Sequence, residues 1–114
     1  MINVEYNGST VEIDGHRIEL DEPIKKTVVH QDNAYVLLDH TDLSPSNRNQ
    51  NIIALDADGS RLWQVDASPA SDDQNNPFTG ISMHGGQLIG FTWKGISVEI
   101  NHDTGAWENP TLSK

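Results

Sequence analysis

The side chains of this 114-residue chain best suited to acid–base or metal chemistry are five histidines: His16, His30, His40, His84 and His102. None of them stands in a metal-ligand spacing, such as two histidines four residues apart with a carboxylate nearby. His30 and His84 also occupy matching positions in two similar tracts of the chain, which favours a structural role. The sequence therefore predicts no metal site.

Two short acidic motifs invite a catalytic or calcium-binding interpretation. Asp39-His40-Thr41-Asp42 could orient a histidine as a general base, but no nucleophile partner is recognisable. Asp56-Ala57-Asp58-Gly59 resembles the start of a calcium loop, but Ala67 stands where the twelfth-position glutamate is required. A phosphate-binding glycine loop and a basic, aromatic surface for nucleic acid are both missing. We therefore expect no enzymatic activity, no cofactor and no nucleic-acid ligand.

The composition is strongly acidic, with 17 Asp and Glu against seven Lys and Arg and a net charge of −10. Such a charge repels nucleic acid and anionic membrane surfaces and attracts cationic proteins. Solubility or adaptation to salt is the alternative explanation. The chain has no cysteine, which is typical of a reducing compartment. No apolar run of membrane-spanning length and no leader appear, so we expect a soluble cytoplasmic protein.

The first 20 residues predict a three-stranded meander with tight turns at Asn7-Gly8 and Asp14-Gly15. Two-residue loops at these turns would place Val4 opposite Val11, and Val11 opposite Ile18. One face of the meander would then be apolar along all three strands.

Two four-strand units follow, over residues 24–65 and 79–108. VVHQDNAYVLL in the first resembles ISMHGGQLIGF in the second, and Trp63 matches Trp107, which indicates an internal repeat. The expected strands are Ile24–Val29, Ala34–Asp39, Asn51–Asp56 and Arg61–Val65, then Thr79–His84, Gln87–Trp93, Ile96–Asn101 and Ala106–Glu108.

Regular turn signals between short strands predict one all-β domain over residues 1–114, without helices. NIIALDADGSRLWQVD, an apolar strand and a return strand joined at Asp58-Gly59, resembles the blade repeat of quinoprotein-type β-propellers. The resemblance implies a structural unit and no cofactor. Three antiparallel meanders are too few for a closed ring, so we expect a partial β-propeller, about half of one. A β-sandwich is the alternative.

Two long connections, 40–50 and 66–77, interrupt the short turns, and long loops in compact domains often carry function. Meander topology places both at one end, with the 93–95 turn and the tail after Glu108. The turns at Asp14, Asp32, Asp58 and Asp103 would lie at the opposite end. The expected partner-binding residues are those of the first end: Asp39, Asp42, Asp66, Asp72, Asp73, Trp93 and Glu108.

The tracts NIIALDADGSRLWQVD and GGQLIGFTWKGISVEI, with the length and acidity of the chain, resemble small all-β bacterial immunity proteins. These belong to contact-dependent growth-inhibition and related toxin systems. The resemblance implies a non-enzymatic inhibitor that covers the active site of a cationic toxin domain, such as a nuclease of the RNase type. The alternative is a protein-interaction module or scaffold of propeller lineage with no toxin partner.

Overall fold

The computed structural model describes residues 2–41, 48–68 and 76–112. Within these ranges the chain forms antiparallel strands and no helix, so the all-β prediction is confirmed. The strands are β1 (Val4–Asn7), β2 (Thr10–Ile13), β3 (His16–Glu19), β4 (Ile24–His30), β5 (Asn33–Leu38), β6 (Ile52–Leu55), β7 (Arg61–Gln64), β8 (Phe78–His84), β9 (Gln87–Thr92), β10 (Ile96–Ile100) and β11 (Trp107–Leu112).

The strands form three meander sheets. Sheet 1 contains β1–β3, sheet 2 contains β4–β7 and sheet 3 contains β8–β11, each with sequential neighbours. One apolar core lies between sheets 1 and 2, and a second lies between sheets 2 and 3. Because successive side chains of a strand point to opposite faces, sheet 2 supplies side chains to both cores. This stack is the expected partial propeller, not a two-sheet sandwich.

The apolar run of β6 explains the central position of sheet 2. Ile52, Ile53, Ala54 and Leu55 are all buried. Ile52 and Ala54 join the core with sheet 3, whereas Ile53 and Leu55 join the core with sheet 1. A strand that is apolar on both faces requires a layer on each side, and this chain provides both.

The register of sheet 1 agrees with the sequence at one hairpin and differs at the other. Val11 lies opposite Ile18, as expected. The expected pairing of Val4 with Val11 is wrong, because Val4 lies opposite Ile13. The loop consists of Gly8-Ser9 instead of Asn7-Gly8, and Gly8 takes a positive φ of 62°. The shift of two residues leaves Val4 on the same face, where it packs against the core.

The internal repeat is visible in the strand pairing of sheets 2 and 3. β4 and β5 pair with the same register as β8 and β9, at residue numbers that differ by 54. Even the irregularity recurs at the same place, after Ile24 in sheet 2 and after Phe78 in sheet 3. Sheets 2 and 3 therefore share both the strand register and the position of a β-bulge. An apolar pattern alone does not require such a conformational match.

The expected match of Trp63 with Trp107 is wrong by one position. Trp63 lies opposite Ala54, and Trp107 lies opposite Ile100. The pairings within the two sheets make Ile100 the counterpart of Leu55. The two tryptophans are therefore not equivalent, although each donates its indole N–H to a backbone carbonyl.

Candidate functional site

A buried asparagine joins sheets 2 and 3 where the two long connections begin and end. Asn51 is fully buried, and its Nδ2 donates to the carbonyls of Leu38 at 3.0 Å and Phe78 at 2.7 Å. Its Oδ1 accepts the backbone N–H of Phe78 at 2.9 Å. One side chain thus satisfies polar backbone groups of both sheets, which would otherwise be buried at a cost of about 1–3 kcal/mol each.

Further hydrogen bonds bring the remaining loop ends together. Asn49 Oδ1 accepts the N–H of Asn76 at 2.8 Å, and the Asn49 carbonyl accepts the N–H of Ser68 at 2.9 Å. The N–H of Lys94 donates to Asn76 Oδ1 at 2.9 Å. We call Asn49, Asn51, Ser68 and Asn76 the loop base. Both long connections and the 93–95 turn meet there, as meander topology predicts.

An exposed tryptophan stands on the loop base. The Trp93 side chain is 65% exposed, and its backbone N–H donates to the Pro77 carbonyl at 2.9 Å. Its ring centroid lies 5.6 Å from that of His40, with the two planes tilted by 43°. Nδ1 of His40 is buried and has no hydrogen-bond partner within the described residues. Tryptophans held in place at a surface frequently anchor protein–protein contacts, because they offer a large area at little conformational cost.

Asp39 lies beside this pair and carries a stable negative charge. Its Oδ1 accepts the N–H of Thr41 at 3.0 Å and the Thr41 hydroxyl at 2.7 Å. These hydrogen bonds, first the backbone one, lower the pKa of Asp39 below its ordinary value. Within the described residues Asp39 binds Thr41 and His40 Nδ1 has no hydrogen-bond partner, so Asp39 does not bind the nitrogen through which it would orient His40 as a general base.

Asp66 follows β7 and lies two residues before Ser68, a member of the loop base. Its N–H donates to the Gly105 carbonyl at 3.1 Å, in the turn expected at the opposite end of the molecule. The strict division of the turns into two ends is therefore wrong here. That turn of sheet 3 lies across β7, where the indole N–H of Trp63 donates to the His102 carbonyl at 2.9 Å.

The expected position of Glu108 is also wrong. Glu108 lies at the start of β11 and lines a cavity of about 220 Å³ together with Gly86 and the 101–103 turn. The strand was expected to stop at Glu108, but it continues through Pro110 to Leu112. An edge strand tolerates proline, because the position of the missing N–H can face away from the neighbouring strand, where no hydrogen bond of the sheet is lost.

The other expected partner-binding residues, Asp42, Asp72 and Asp73, lie outside the described residues. Of the expected set within the described residues, Trp93 contacts His40, the residue that follows Asp39, and Asp66 lies next to the loop base. Glu108 lies elsewhere. No local sequence signal indicated that His40 is the neighbour of Trp93, or that Asn51 bridges two sheets. A run containing Asn49 and Asn51 was visible, but their partners are distant in the chain.

The described ranges contain no group of three or more His, Asp or Glu side chains that could hold a metal ion. Over the same ranges, no helix is long and apolar enough to cross a membrane.

The three antiparallel meanders and the largely buried, hydrogen-bonded loop base that joins two of them define an all-β repeat protein. Residues 1–112 match one family model, and the chain belongs to that family, described as "Domain of unknown function (DUF7957)". A comparison with curated proteins finds no match.

Solved structures show the same fold over the whole chain. The computationally designed Ika8 protein matches 99% of the chain with a TM-score of 0.64 and 8% identity. BamB from Moraxella catarrhalis, of β-propeller lineage, matches 100% of the chain with a TM-score of 0.62 and 17% identity. The matched parts are 37% and 35% of those proteins, so this chain spans about a third of their length. At such identities the likeness concerns the fold alone.

Proposed function

We propose that this chain is a non-enzymatic binding protein that docks a cationic protein partner at the exposed surface around Trp93, next to the loop base. The observation that carries the proposal is Trp93, largely exposed yet fixed by its backbone bond to Pro77 and its contact with His40. An anchor that is ordered before binding loses little conformational entropy when the partner arrives. Both long connections start and end around it, so they can extend the contact surface.

Charge supports a cationic partner. The chain carries a net charge of −10, and the two long connections contribute Asp42, Asp72 and Asp73. Asp39 remains ionised because its hydrogen bonds to Thr41 lower its pKa. Opposite fields accelerate association and reject partners of the wrong sign, more than they add affinity.

The specific form of the proposal is an immunity protein of a contact-dependent growth-inhibition or related toxin system, acting in the cytoplasm. Its partner is a toxin domain, such as a nuclease of the RNase type, whose cationic active-site cleft the acidic loops cover. The resemblance of the two sequence tracts, the size and the acidity support this form. Neither a cofactor nor a catalytic residue takes part.

A second candidate is a protein-interaction module of propeller lineage without a toxin partner. The specific observation in its favour is that the chain matches about a third of each of two longer proteins of the same fold, one of them of β-propeller lineage. A unit of this lineage can serve as a scaffold by offering its sheet faces and loops to other proteins.

The proposal is tested with the cationic protein domain encoded next to this chain's gene. We expect stoichiometric binding, inhibition of that domain's activity, and an association rate that falls steeply between low and high salt. Trp93→Ala should weaken binding by about 2 kcal/mol, as for a central anchor. Asp58→Asn, which changes an exposed carboxylate in the turn after β6, is the control and should bind as the parent does.

Two results would contradict the loop-base proposal. One is an unchanged affinity of the Trp93→Ala variant, and the other is an association rate that does not depend on salt. Binding without inhibition of any activity would favour the interaction module over the immunity protein.

A further inference from the structure

Sheet 2 packs against sheet 3 with one of its faces, which we call the receiving face. Sheet 3 has an equivalent face at the same strand positions. In sheet 2 this face carries Tyr35, Leu37, Ile52 and Ala54, all within the core shared with sheet 3. Tyr35 pairs with Ala54, and Leu37 pairs with Ile52. The same register in sheet 3 pairs Ile89 with Glu99, and Phe91 with Ser97. The receiving face of sheet 2 therefore has a counterpart in sheet 3 with the same strand register.

The second receiving face is the outer surface of sheet 3. Ile89 and Phe91 occupy the positions of Tyr35 and Leu37, but they are only half-buried and belong to neither core. Their strand neighbour Leu88 points the other way and is fully buried against sheet 2. A Cβ added at Gly80 would lie 3.5 Å from Phe91 Cδ2, so the Phe91 ring rests on this outer surface.

Two carboxylates flank the apolar pair without a cation. Glu99 lies directly opposite Glu108 across β10 and β11, and like charges at such positions repel. Asn109 donates one hydrogen bond to Glu99 Oε1 at 3.2 Å. Among the described residues the ion pair is that of His102 with Asp103. Within this part of the chain, Glu99 and Glu108 therefore have no Lys or Arg partner. A cation supplied from outside would relieve this repulsion.

We propose that the outer face of sheet 3, defined by Ile89, Phe91, Glu99 and Glu108, docks a protein surface that presents apolar side chains flanked by Lys or Arg. This inference rests on the proposed function, because it takes the partner to be cationic, and it adds a second contact surface with an apolar centre. The position of the face supports it, since the same face one sheet earlier is already an intersheet contact.

A second copy of this chain fits the face poorly. The outer face of sheet 1, at the other side of the stack, carries Glu5, Glu12 and Glu19, with one cation, Arg17, opposite Glu12. Stacking that surface onto sheet 3 would set three carboxylates and a single Arg against Glu99 and Glu108, so repulsion would dominate. Two sheet 3 faces packed together would likewise oppose Glu99 and Glu108 with their own copies.

The test is an amide NMR titration of the full chain with a short synthetic peptide of alternating lysine and leucine. We expect shifts centred on β9, β10 and β11, and binding that is at least about tenfold weaker for a peptide of lysine and serine. A peptide of glutamate and leucine should not bind. Phe91→Ser, Ile89→Thr and the double variant Glu99→Gln with Glu108→Gln should each weaken binding about fivefold or more.

The control is the double variant Glu5→Gln with Glu12→Gln, which removes a directly opposed carboxylate pair from sheet 1, where Arg17 lies opposite Glu12. It should bind the lysine–leucine peptide within about twofold of the parent chain. The amide spectrum of every variant shows whether it is folded. The double glutamine variant of sheet 3 changes exposed or half-buried side chains only, so it keeps the test decisive if Phe91→Ser does not fold.

Four outcomes would overturn the inference. Shifts confined to Trp93 and the loop base would exclude the sheet 3 face while leaving the proposed function in place. Equal binding of the lysine–serine peptide would show a purely electrostatic contact. A concentration-dependent dimer of the chain alone, abolished by Phe91→Ser, would assign the face to a second copy. Binding nowhere on the chain would overturn this inference, whereas the proposed function is decided separately by the experiment with the cationic domain and Trp93→Ala.

Discussion

Replacing Asn51 with alanine should destabilise the fold more than any exposed polar substitution. The change removes three hydrogen bonds and leaves the N–H of Phe78 and the carbonyls of Leu38 and Phe78 without that partner. Each net hydrogen bond contributes about 1 kcal/mol, and a buried donor left unpaired costs about 1–3 kcal/mol. We therefore expect a loss of about 3–5 kcal/mol, a large part of the total stability of a small domain, about 5–15 kcal/mol.

Urea unfolding followed by tryptophan fluorescence measures this loss, since all three tryptophans lie in sheets 2 and 3 or in their connections. Asn3→Ala, at an exposed asparagine, is the control and should change the free energy of unfolding by at most about 0.5 kcal/mol. A loss below about 1 kcal/mol for Asn51→Ala would show that water or neighbouring groups replace the side chain easily, and our account of the loop base would be wrong.

Asn51→Asp separates the hydrogen-bond argument from simple loss of volume. The introduced carboxyl is nearly isosteric, but when ionised it faces the carbonyls of Leu38 and Phe78 without a proton to donate. The pKa of this carboxyl should therefore be higher in the folded state than in the unfolded state. The folded variant then binds more protons than the unfolded variant. Its stability relative to the parent should fall as pH rises from the unfolded pKa to the folded pKa. A destabilisation of Asn51→Asp that does not depend on pH would contradict this reasoning.

Two further substitutions test individual contacts. Gly105→Ala should destabilise the chain by about 2–4 kcal/mol, because the new Cβ would lie 2.7 Å from Trp63 Cε3 at a residue with a φ of 81°. Thermal unfolding measures this loss. Gly85→Ala, also at positive φ but with no atom beyond its chain neighbours within 4 Å of the new Cβ, is the control and should be milder. The pKa of Asp39, followed by NMR, should lie below the ordinary value and rise only part of the way in Thr41→Val, which removes the hydroxyl but keeps the backbone N–H that is the larger cause. The extra stability of the parent should be present at neutral pH and disappear as pH falls through the folded pKa of Asp39. An unchanged titration midpoint in Thr41→Val would show that the hydroxyl makes no contribution, and an ordinary pKa of Asp39 in the parent would refute both causes.

The sequence predicts the strands well because turn residues and apolar patterns are local signals. It fails at the first hairpin because Asn7-Gly8-Ser9 permits two positions for a two-residue loop. A shift of two residues keeps every side chain on its face, so the apolar pattern cannot choose between them. Asp14-Gly15, where both residues take positive φ, leaves no such choice and was predicted correctly.

The candidate site was only partly predictable, for a different reason. Meander topology alone brings the long connections and the 93–95 turn to one place. The contact of His40 with Trp93 and the bridge made by Asn51 depend on how two sheets dock, which no local pattern encodes. The position of Glu108 was predicted wrongly because a proline such as Pro110 usually ends a strand, whereas an edge strand such as β11 tolerates proline.

The central position of sheet 2 has a consequence for how the molecule folds. Each sheet is a meander whose strands are neighbours in sequence, so its hairpins close short loops and can form quickly. Yet sheet 2 contributes to both cores, and no opening that exposes its strands can leave either core intact. We therefore expect local hairpins to be transient until the neighbouring sheets dock on them, and unfolding of sheet 2 to disrupt both cores together.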